Sequence, residues 1–307
     1  MKHLGISGGG TKISGLYGAA EVILIDKKYS PDIISGISAG AVLSVPLALG
    51  KFEAIKEKIL NFNLRTFFNV PPIKPNGKIR LWNALIKIIG GKHYLGEQFN
   101  LEKTLSEVVS REEFEDYQHN PDFPLCIVGA VDFYTGGRVY VNLKDKDISY
   151  EKFLKFVNAS ASIPVFTTGI KLNEPFKDFE GNLISGKVLL YDGGVRDHSP
   201  SSKILESKKY EITENATIFS RPQDYRVLPK EFVPKNILKI LNRNIDISLV
   251  EVSKNDEYIE NQIIAEKKIL KHKTIYLPRV MDNFYDVDKD KLRQLYEEGR
   301  LLAQGWS

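Results

Sequence analysis

Short apolar runs and helical spacing alternate from the start of the chain. His3-Leu4-Gly5-Ile6-Ser7 has the length of a strand and stops at Gly8-Gly9-Gly10. Leu16, Ala19, Ala20, Ile23 and Leu24 then recur at intervals of three and four, the period of a helix with one apolar face. Pro31-Asp32 ends that helix, Ile33–Ile37 reads as a second strand, and Ala39 to Leu49 as a second, mostly apolar helix. This order predicts a parallel sheet with covering helices. From about 51 to 118 the pattern is helical but broken by Pro71-Pro72, Pro75 and Gly90-Gly91. Strand patterns return at Leu125–Val131 and Arg138–Asn142, joined by a hairpin turn over Asp132–Gly137. Tyr150–Ala161 reads as helix, and Lys187–Tyr191 as a strand running into Asp192-Gly193-Gly194. Ala216–Phe219 and Thr274–Leu277 are further strand candidates; Lys254–Lys271 and Asp288–Gln304 read as helices. No linker, repeat or low-complexity tract divides the chain. The expectation is one α/β domain over residues 1–307, with a helical insertion at about 51–118 and a helical extension over 201–307.

Composition narrows the class. Of 307 residues, 42% are apolar and 27% charged, which excludes a disordered, collagen-like or coiled-coil chain. Lys and Arg number 43 against 39 Asp and Glu, a formal charge of +4. That balance gives no reason to expect nucleic acid, and it does not oppose contact with an anionic membrane surface. The single cysteine, Cys126, excludes an internal disulfide and a Cys-built zinc site; its run Leu125-Cys126-Ile127-Val128 predicts a buried strand residue. His3, His93, His119 and His272 have no metal-ligand spacing, so neither a metal nor another cofactor is expected. Met1–Ile6 is too short an apolar stretch for a signal peptide, and no apolar run reaches the ~18 residues of a membrane span. A soluble, cytoplasmic protein follows as the expectation, with membrane contact at most peripheral.

Three elements could carry chemistry. Gly36-Ile37-Ser38-Ala39-Gly40 is a G-x-S-x-G element, entered by an apolar strand and left by an apolar helix. On so sharp a turn a serine hydroxyl stands clear of the backbone, small flanking residues let the turn close, and the helix N-terminus favours developing negative charge. Gly8-Gly9-Gly10 likewise follows a strand, and its N–H groups can converge on a phosphate or an oxyanion. The phosphate-loop spacing fails because Thr11 and Lys12 stand in the wrong order, and the dinucleotide spacing fails because Ile13 occupies the third glycine position. Lys12 is free to pack, to anchor the loop or to face an anionic head group. Asp192-Gly193-Gly194 places a carboxylate at a strand end, where α/β sheets keep their sites. A nucleophile, a donor cluster and a base on one edge of a parallel sheet would make an acyl-transfer site.

Together these elements resemble the patatin-like phospholipase family. Two stretches strengthen the resemblance: Asn158–Phe166 is similar to the family's A-S-x-x-I-P-x-x-F segment, and Asp132-Phe133-Tyr134-Thr135-Gly136 to its D-x-x-T-G turn. It covers about residues 2–200; nothing family-specific is visible in 201–307. The sequence departs from the family at Ile13-Ser14 before Gly15, in a spacing to Phe166 one residue short, and at Asp197-His198-Ser199-Pro200. The resemblance implies a three-layer α/β/α fold and metal-free hydrolysis of acyl esters in lipids. It implies Ser38 as nucleophile, Asp192 as base, and amides around Gly8, Gly9 and Gly10 as the oxyanion hole. Gly36 and Gly40 would shape the elbow, and Gly193 and Gly194 the turn after the base.

Alternatives stay open on the same residues. The order Ser38, Asp192, His198 is also that of an α/β-hydrolase triad with His198 as base. Acyl transfer to an acceptor other than water would use the same groups, and so would a gated protein that binds lipid without turnover. The expected partner is a phospholipid or another acyl-ester lipid; the sequence does not set the oligomeric state. Leu81–Ile89, flanked by Lys78, Arg80, Lys87 and Lys92, could lie on a membrane, form a lid or pack on the domain; Phe62–Phe68 has the same ambiguity.

Overall fold

The computed structural model describes residues 1–72, 80, 86–87, 89–224, 237–280 and 286–305. The chain opens with β1 (Lys2–Ile6), a 3₁₀ turn at Gly10–Lys12 and α1 (Ile13–Glu21), then β2 (Ile33–Ile37) and α2 (Ala39–Ala48). All but the edge residue of these two strands are buried, the uninterrupted apolar pattern of a sheet covered on both faces. Among the described residues there follow α3 (Phe52–Leu60), α4 (Leu64–Phe67), α5 (Asn100–Val108) and α6 (Arg111–His119). The start of α6 is fixed by a capping box between Ser110 and Glu113. The proposed amphipathic stretch at 81–89 lies mostly outside the described residues. Phe62 and Phe68 are buried, and the Phe62 and Phe67 rings meet edge to face at 4.6 Å, so this stretch packs on the domain.

β3 (Leu125–Asp132) and β4 (Arg138–Asn142) form the expected hairpin. Asp132 holds its turn, accepting from the Thr135 hydroxyl (2.7 Å) and the Tyr134 amide (3.2 Å). After α7 (Tyr150–Ser160) come the short strands β5 (Ile170–Leu172), β6 (Phe176–Lys177), β7 (Leu183–Ile184) and β8 (Val188–Asp192). Cys126 is buried in β3.

The C-terminal part adds α8 (Ser201–Glu206), β9 (Glu214–Phe219), α9 (Ile237–Glu266), β10 (Lys271–Tyr276) and α10 (Lys289–Gln304). The expectation of a helical extension over 201–307 is corrected: β9 and β10 are strands of the central sheet, whose order is β10-β9-β1-β2-β3-β8-β5 with β4 also on β3. β9 pairs in parallel with β1 from Lys2↔Glu214 to Ile6↔Ile218. α10 packs on the wholly buried α1, where buried Glu21 accepts from Tyr17 (3.0 Å), Tyr296 (2.7 Å) and Arg300. Two apolar cores, one on each face of the sheet, complete the three layers: alternate β2 residues Ile34 and Ile33 belong to different cores. Among the described residues no helix is long and apolar enough to cross a membrane.

One pairing sets the site. β10, β9, β1, β2 and β3 are parallel, but β8 runs antiparallel to β3. β2 pairs with β3 as far as Gly129, and β8 takes over from Ala130, along the edge that β4 leaves free. β2 and β8 therefore approach head-on, and their C-terminal ends converge. The expectation that Asp192 shares a parallel edge with Ser38 is corrected in direction: the two ends meet because the strands oppose each other.

Candidate active site

The elbow is assembled from β2 and α2. Ser38 sits at φ +54°, ψ −117°, a conformation that a non-glycine residue rarely adopts and that the surroundings must hold. Its neighbours leave no room for a side chain: a Cβ on Gly36 would lie 2.2 Å from the Gly40 carbonyl, and one on Gly40 2.1 Å from the Ile6 oxygen. The Ser38 amide donates to the Ser160 hydroxyl (3.0 Å), which itself donates to the Gly129 carbonyl (2.5 Å). Ser160 thus ties the elbow to β3 from the end of α7. Ser38 is 7% exposed and heads α2, whose amides favour negative charge there.

Asp192 comes in from the opposite direction. Its amide donates to the Ser162 carbonyl (2.9 Å), and its carboxylate accepts the Gly194 amide (2.7 Å). Burial pushes the carboxyl up to about 7; the nearby Ser38 hydroxyl and the Gly194 amide pull it back only in part. Gly193 lies against the Gly129 backbone and Ile37, the junction where β2 gives way to β8.

The glycine loop divides its labour. The Gly8 N–H donates to the His198 carbonyl (2.9 Å), so it is spent. The Gly8 carbonyl accepts from the Ser7 hydroxyl (3.1 Å) and from the Ser220 hydroxyl. In a planar trans peptide the N–H points away from the C=O, so these bonds fix the direction of the Gly9 N–H. The Gly9 carbonyl accepts the Lys12 amide (3.0 Å), which fixes the Gly10 N–H in the same way. Among the described residues neither the Gly9 nor the Gly10 amide has a backbone acceptor, and both residues border the cavity that Ser38 faces. Of the three amides expected to serve an oxyanion, that of Gly8 is already engaged by the His198 carbonyl.

That cavity measures about 330 Å³ and is bordered by Ser38, Asp192, Gly194 and His198. Ile163 and Pro164 line it, exposed Phe133, Val165 and Val195 stand at its mouth, and Leu249 and Val252 of α9 close its far side. A smaller cavity of about 40 Å³ also borders Ser38, lined by Ile13, Phe62, Phe67 and Phe68.

His198 lines the cavity but is poorly suited as a base. Burial, then the positive charges of Lys12 and Arg221, push its imidazole down to about 3, and Nδ1 has no partner among the described residues. Among the described residues no carboxylate bonds to the ring as a triad requires. Lys12, last residue of the 3₁₀ turn, does not border the cavity; it acts on the site through its charge and the Gly9 carbonyl. Asp197 is held away from Ser38 by the Tyr140 hydroxyl (2.9 Å) and Arg138 (2.7 Å).

Sequence reasoning missed Ser160, Ser162 and Ser220, and the part of α9. Ser160 and Ser162 lie in the segment noticed for its motif, but a motif does not say which hydroxyl or carbonyl bonds to what. Ser220 carries no local signal, and α9, read in part as the helix Lys254–Lys271, carries none for a place at the site.

A family model described as Patatin-like phospholipase matches residues 4–202. Among solved structures, VipD from Legionella pneumophila is similar at 14% identity and a TM-score of 0.51, over 99% of this chain and 66% of that one. The type III effector ExoU is similar at 14% identity and a TM-score of 0.43, over 99% of this chain and 52% of that one. A second ExoU structure, the Pseudomonas aeruginosa protein in complex with SpcU, gives 14% identity and 0.38 over 87% and 52%. The chain thus spans less than two thirds of either protein, and the likeness to VipD is one of fold. No curated protein matches the chain significantly.

Proposed function

The chain belongs to the patatin-like phospholipase family, and on that premise we propose that it is a lipid acyl hydrolase of phospholipase A or lysophospholipase type, working through a Ser38–Asp192 dyad. The observation that carries this reading is the head-on meeting of β2 and β8. It brings a serine at positive φ beside a buried carboxylate and two unspent glycine amides, at the edge of a largely apolar cavity.

In this reading Ser38 Oγ attacks the ester carbonyl carbon as its proton passes to Asp192. A carboxyl poised near 7 is a stronger base than an ordinary carboxylate, which offsets the weakness of a carboxylate toward a hydroxyl. The oxyanion is held by the Gly9 and Gly10 N–H groups and the start of α2; losing one such donor typically costs ~10²–10³ in rate. The tetrahedral intermediate collapses, the C–O bond to the alcohol breaks, and Asp192 returns the proton to the leaving oxygen. Water, deprotonated by Asp192, then attacks the acyl carbon, the bond to Ser38 Oγ breaks, and Asp192 returns the proton to that oxygen as the fatty acid leaves. Two cavities meeting at Ser38 suit an ester whose acyl and alcohol parts leave the reacting carbon in different directions.

The test is hydrolysis of p-nitrophenyl acyl esters and then of phospholipid vesicles, alongside covalent labelling by a fluorophosphonate. Wild type should turn over and take one label; Ser38→Ala should do neither. Labelling and turnover that persist in Ser38→Ala would sink the assignment. Turnover accelerated by added alcohols, with transesterified product, would move the reading to acyl transfer.

A further inference from the structure

Helix α9 belongs to the part of the chain outside the family match, yet its buried polar residues grip the catalytic loops. Ser253, Asp256, Glu257 and Glu260 recur at i, i+3, i+4 and i+7, so they share one face of the helix. Ser253, Asp256 and Glu260 are each about 1% exposed. A polar stripe buried this completely needs partners, and it has them. Glu260 accepts from Asn215 (2.8 Å) and Thr217 on β9, and Arg221, just past β9, bonds to Ser253 (2.7 Å) and Glu257.

Asp256 does something different. Its Oδ2 accepts two consecutive backbone amides, His198 at 2.6 Å and Ser199 at 2.9 Å. These two bonds clamp the loop after the Asp192-Gly193-Gly194 turn. The carbonyl of the same His198 accepts the Gly8 amide at 2.9 Å. A Cβ on Gly8 would lie 3.4 Å from Ser38 Cβ, so Gly8 is a neighbour of the nucleophile. The relay from helix to site is then short: Asp256 carboxylate, His198 peptide, Gly8 peptide, and the Gly9 N–H whose direction the Gly8 carbonyl sets.

We infer that Asp256 is a positioning residue, which orients the Gly8–Gly9 oxyanion loop by clamping the 198–199 backbone. The docking of α9 is thereby coupled to catalytic competence. The inference rests on the acyl-hydrolase reading for its kinetic consequence but not for its structural one. Asp256 touches no reacting atom; it acts through His198 and Gly8. Glu260, one turn further along the same face, anchors the helix to β9 and has no such relay, so it separates helix docking from loop positioning.

The experiment compares wild type, Asp256→Ala, Asp256→Asn and Glu260→Gln in two readouts. The first is hydrogen exchange of the assigned Gly8, His198 and Ser199 amides, which needs no activity. Asp256→Ala should speed exchange at all three by tenfold or more, Asp256→Asn by less, since its amide oxygen still accepts. Glu260→Gln should leave the Gly8 amide as in wild type. The second is p-nitrophenyl ester turnover per fluorophosphonate-titrated site, which counts only competent folded protein. Asp256→Ala should lower kcat by about tenfold to hundredfold, less than the full loss of an oxyanion donor, with KM within threefold. Asparagine should restore part of that loss. Unchanged Gly8 exchange in Asp256→Asn and Asp256→Ala would overturn the inference. So would a Glu260→Gln effect on Gly8 and kcat as large as that of Asp256→Ala. Wild type without turnover or label would instead count against the acyl-hydrolase reading, with the exchange result still deciding the coupling.

Discussion

If Asp192 takes the proton of Ser38, the rate must follow its ionisation. Burial places that carboxyl at about 7, far above an exposed aspartate. Only the ionised form can accept a proton, so activity rises with pH and levels off above the pKa. The ionised fraction is about one tenth at pH 6 and about nine tenths at pH 8, so kcat/KM should rise roughly thirtyfold from pH 5.5 to 8. The assay is p-nitrophenyl butyrate hydrolysis in buffers of constant ionic strength, read where absorbance does not depend on the ionisation of p-nitrophenol. Asp192→Asn should lose ~10²–10⁴ in rate, and its residual activity should lack the inflection. His198→Ala should keep the inflection near 7, because its imidazole, pushed down to about 3 by burial, Lys12 and Arg221, does not titrate in this range. A flat profile from pH 5.5 to 8, or an inflection surviving in Asp192→Asn but lost in His198→Ala, would refute the dyad.

Three more expectations concern stability. Burial pushes Asp192, Asp256 and Glu260 each up to about 7, so the folded state holds protons that the unfolded chain releases. Stability should therefore rise as pH falls from 8 to 6.5, by about 1 kcal/mol per group. Below 6.5 it should level off, because buried His3 and His198 stay neutral in the fold, and half-buried His272 is pushed the same way, while the unfolded chain protonates all three; melts showing a Tm that drops between pH 8 and 6.5 would contradict this. Val165, exposed at the cavity mouth, holds φ +71°, which costs a β-branched residue ~1–3 kcal/mol. Val165→Gly should raise Tm by a few degrees, and an unchanged or lower Tm would count against that strain. Gly40→Ala would drive a Cβ to 2.1 Å from the Ile6 oxygen; the cost should be at least the ~3 kcal/mol of severe overpacking, seen as a large loss of Tm, and a near-native Tm would show that the elbow can open.

Much of this protein was legible along the chain. Apolar periodicity alone marks β1, α1, β2 and α2, because a strand or helix buried on a sheet writes its period into the residues that bury it. Gly36, Ser38 and Gly40 were legible for a local reason: a turn this tight admits only small residues at fixed spacing. The strands β9 and β10 showed as short apolar runs, yet their place at the edge of the central sheet did not, because pairing partners lie far apart in sequence. The same limit hid the reversal of β8. A five-residue apolar run reads alike in either direction, and only its register against β3 turns Asp192 toward Ser38. The division of the glycines was equally invisible, since Gly8, Gly9 and Gly10 are chemically identical and differ only in what stands opposite their amides: the His198 carbonyl against that of Gly8, and no backbone acceptor among the described residues against the others. Asp256 is the extreme case. On its own helix it is one more polar residue, and it becomes a clamp only because folding buries it against two amides 57 and 58 positions earlier in the chain. Local sterics and periodicity are properties of neighbouring residues and can be read in order; partnership across the sheet is a property of the packed whole.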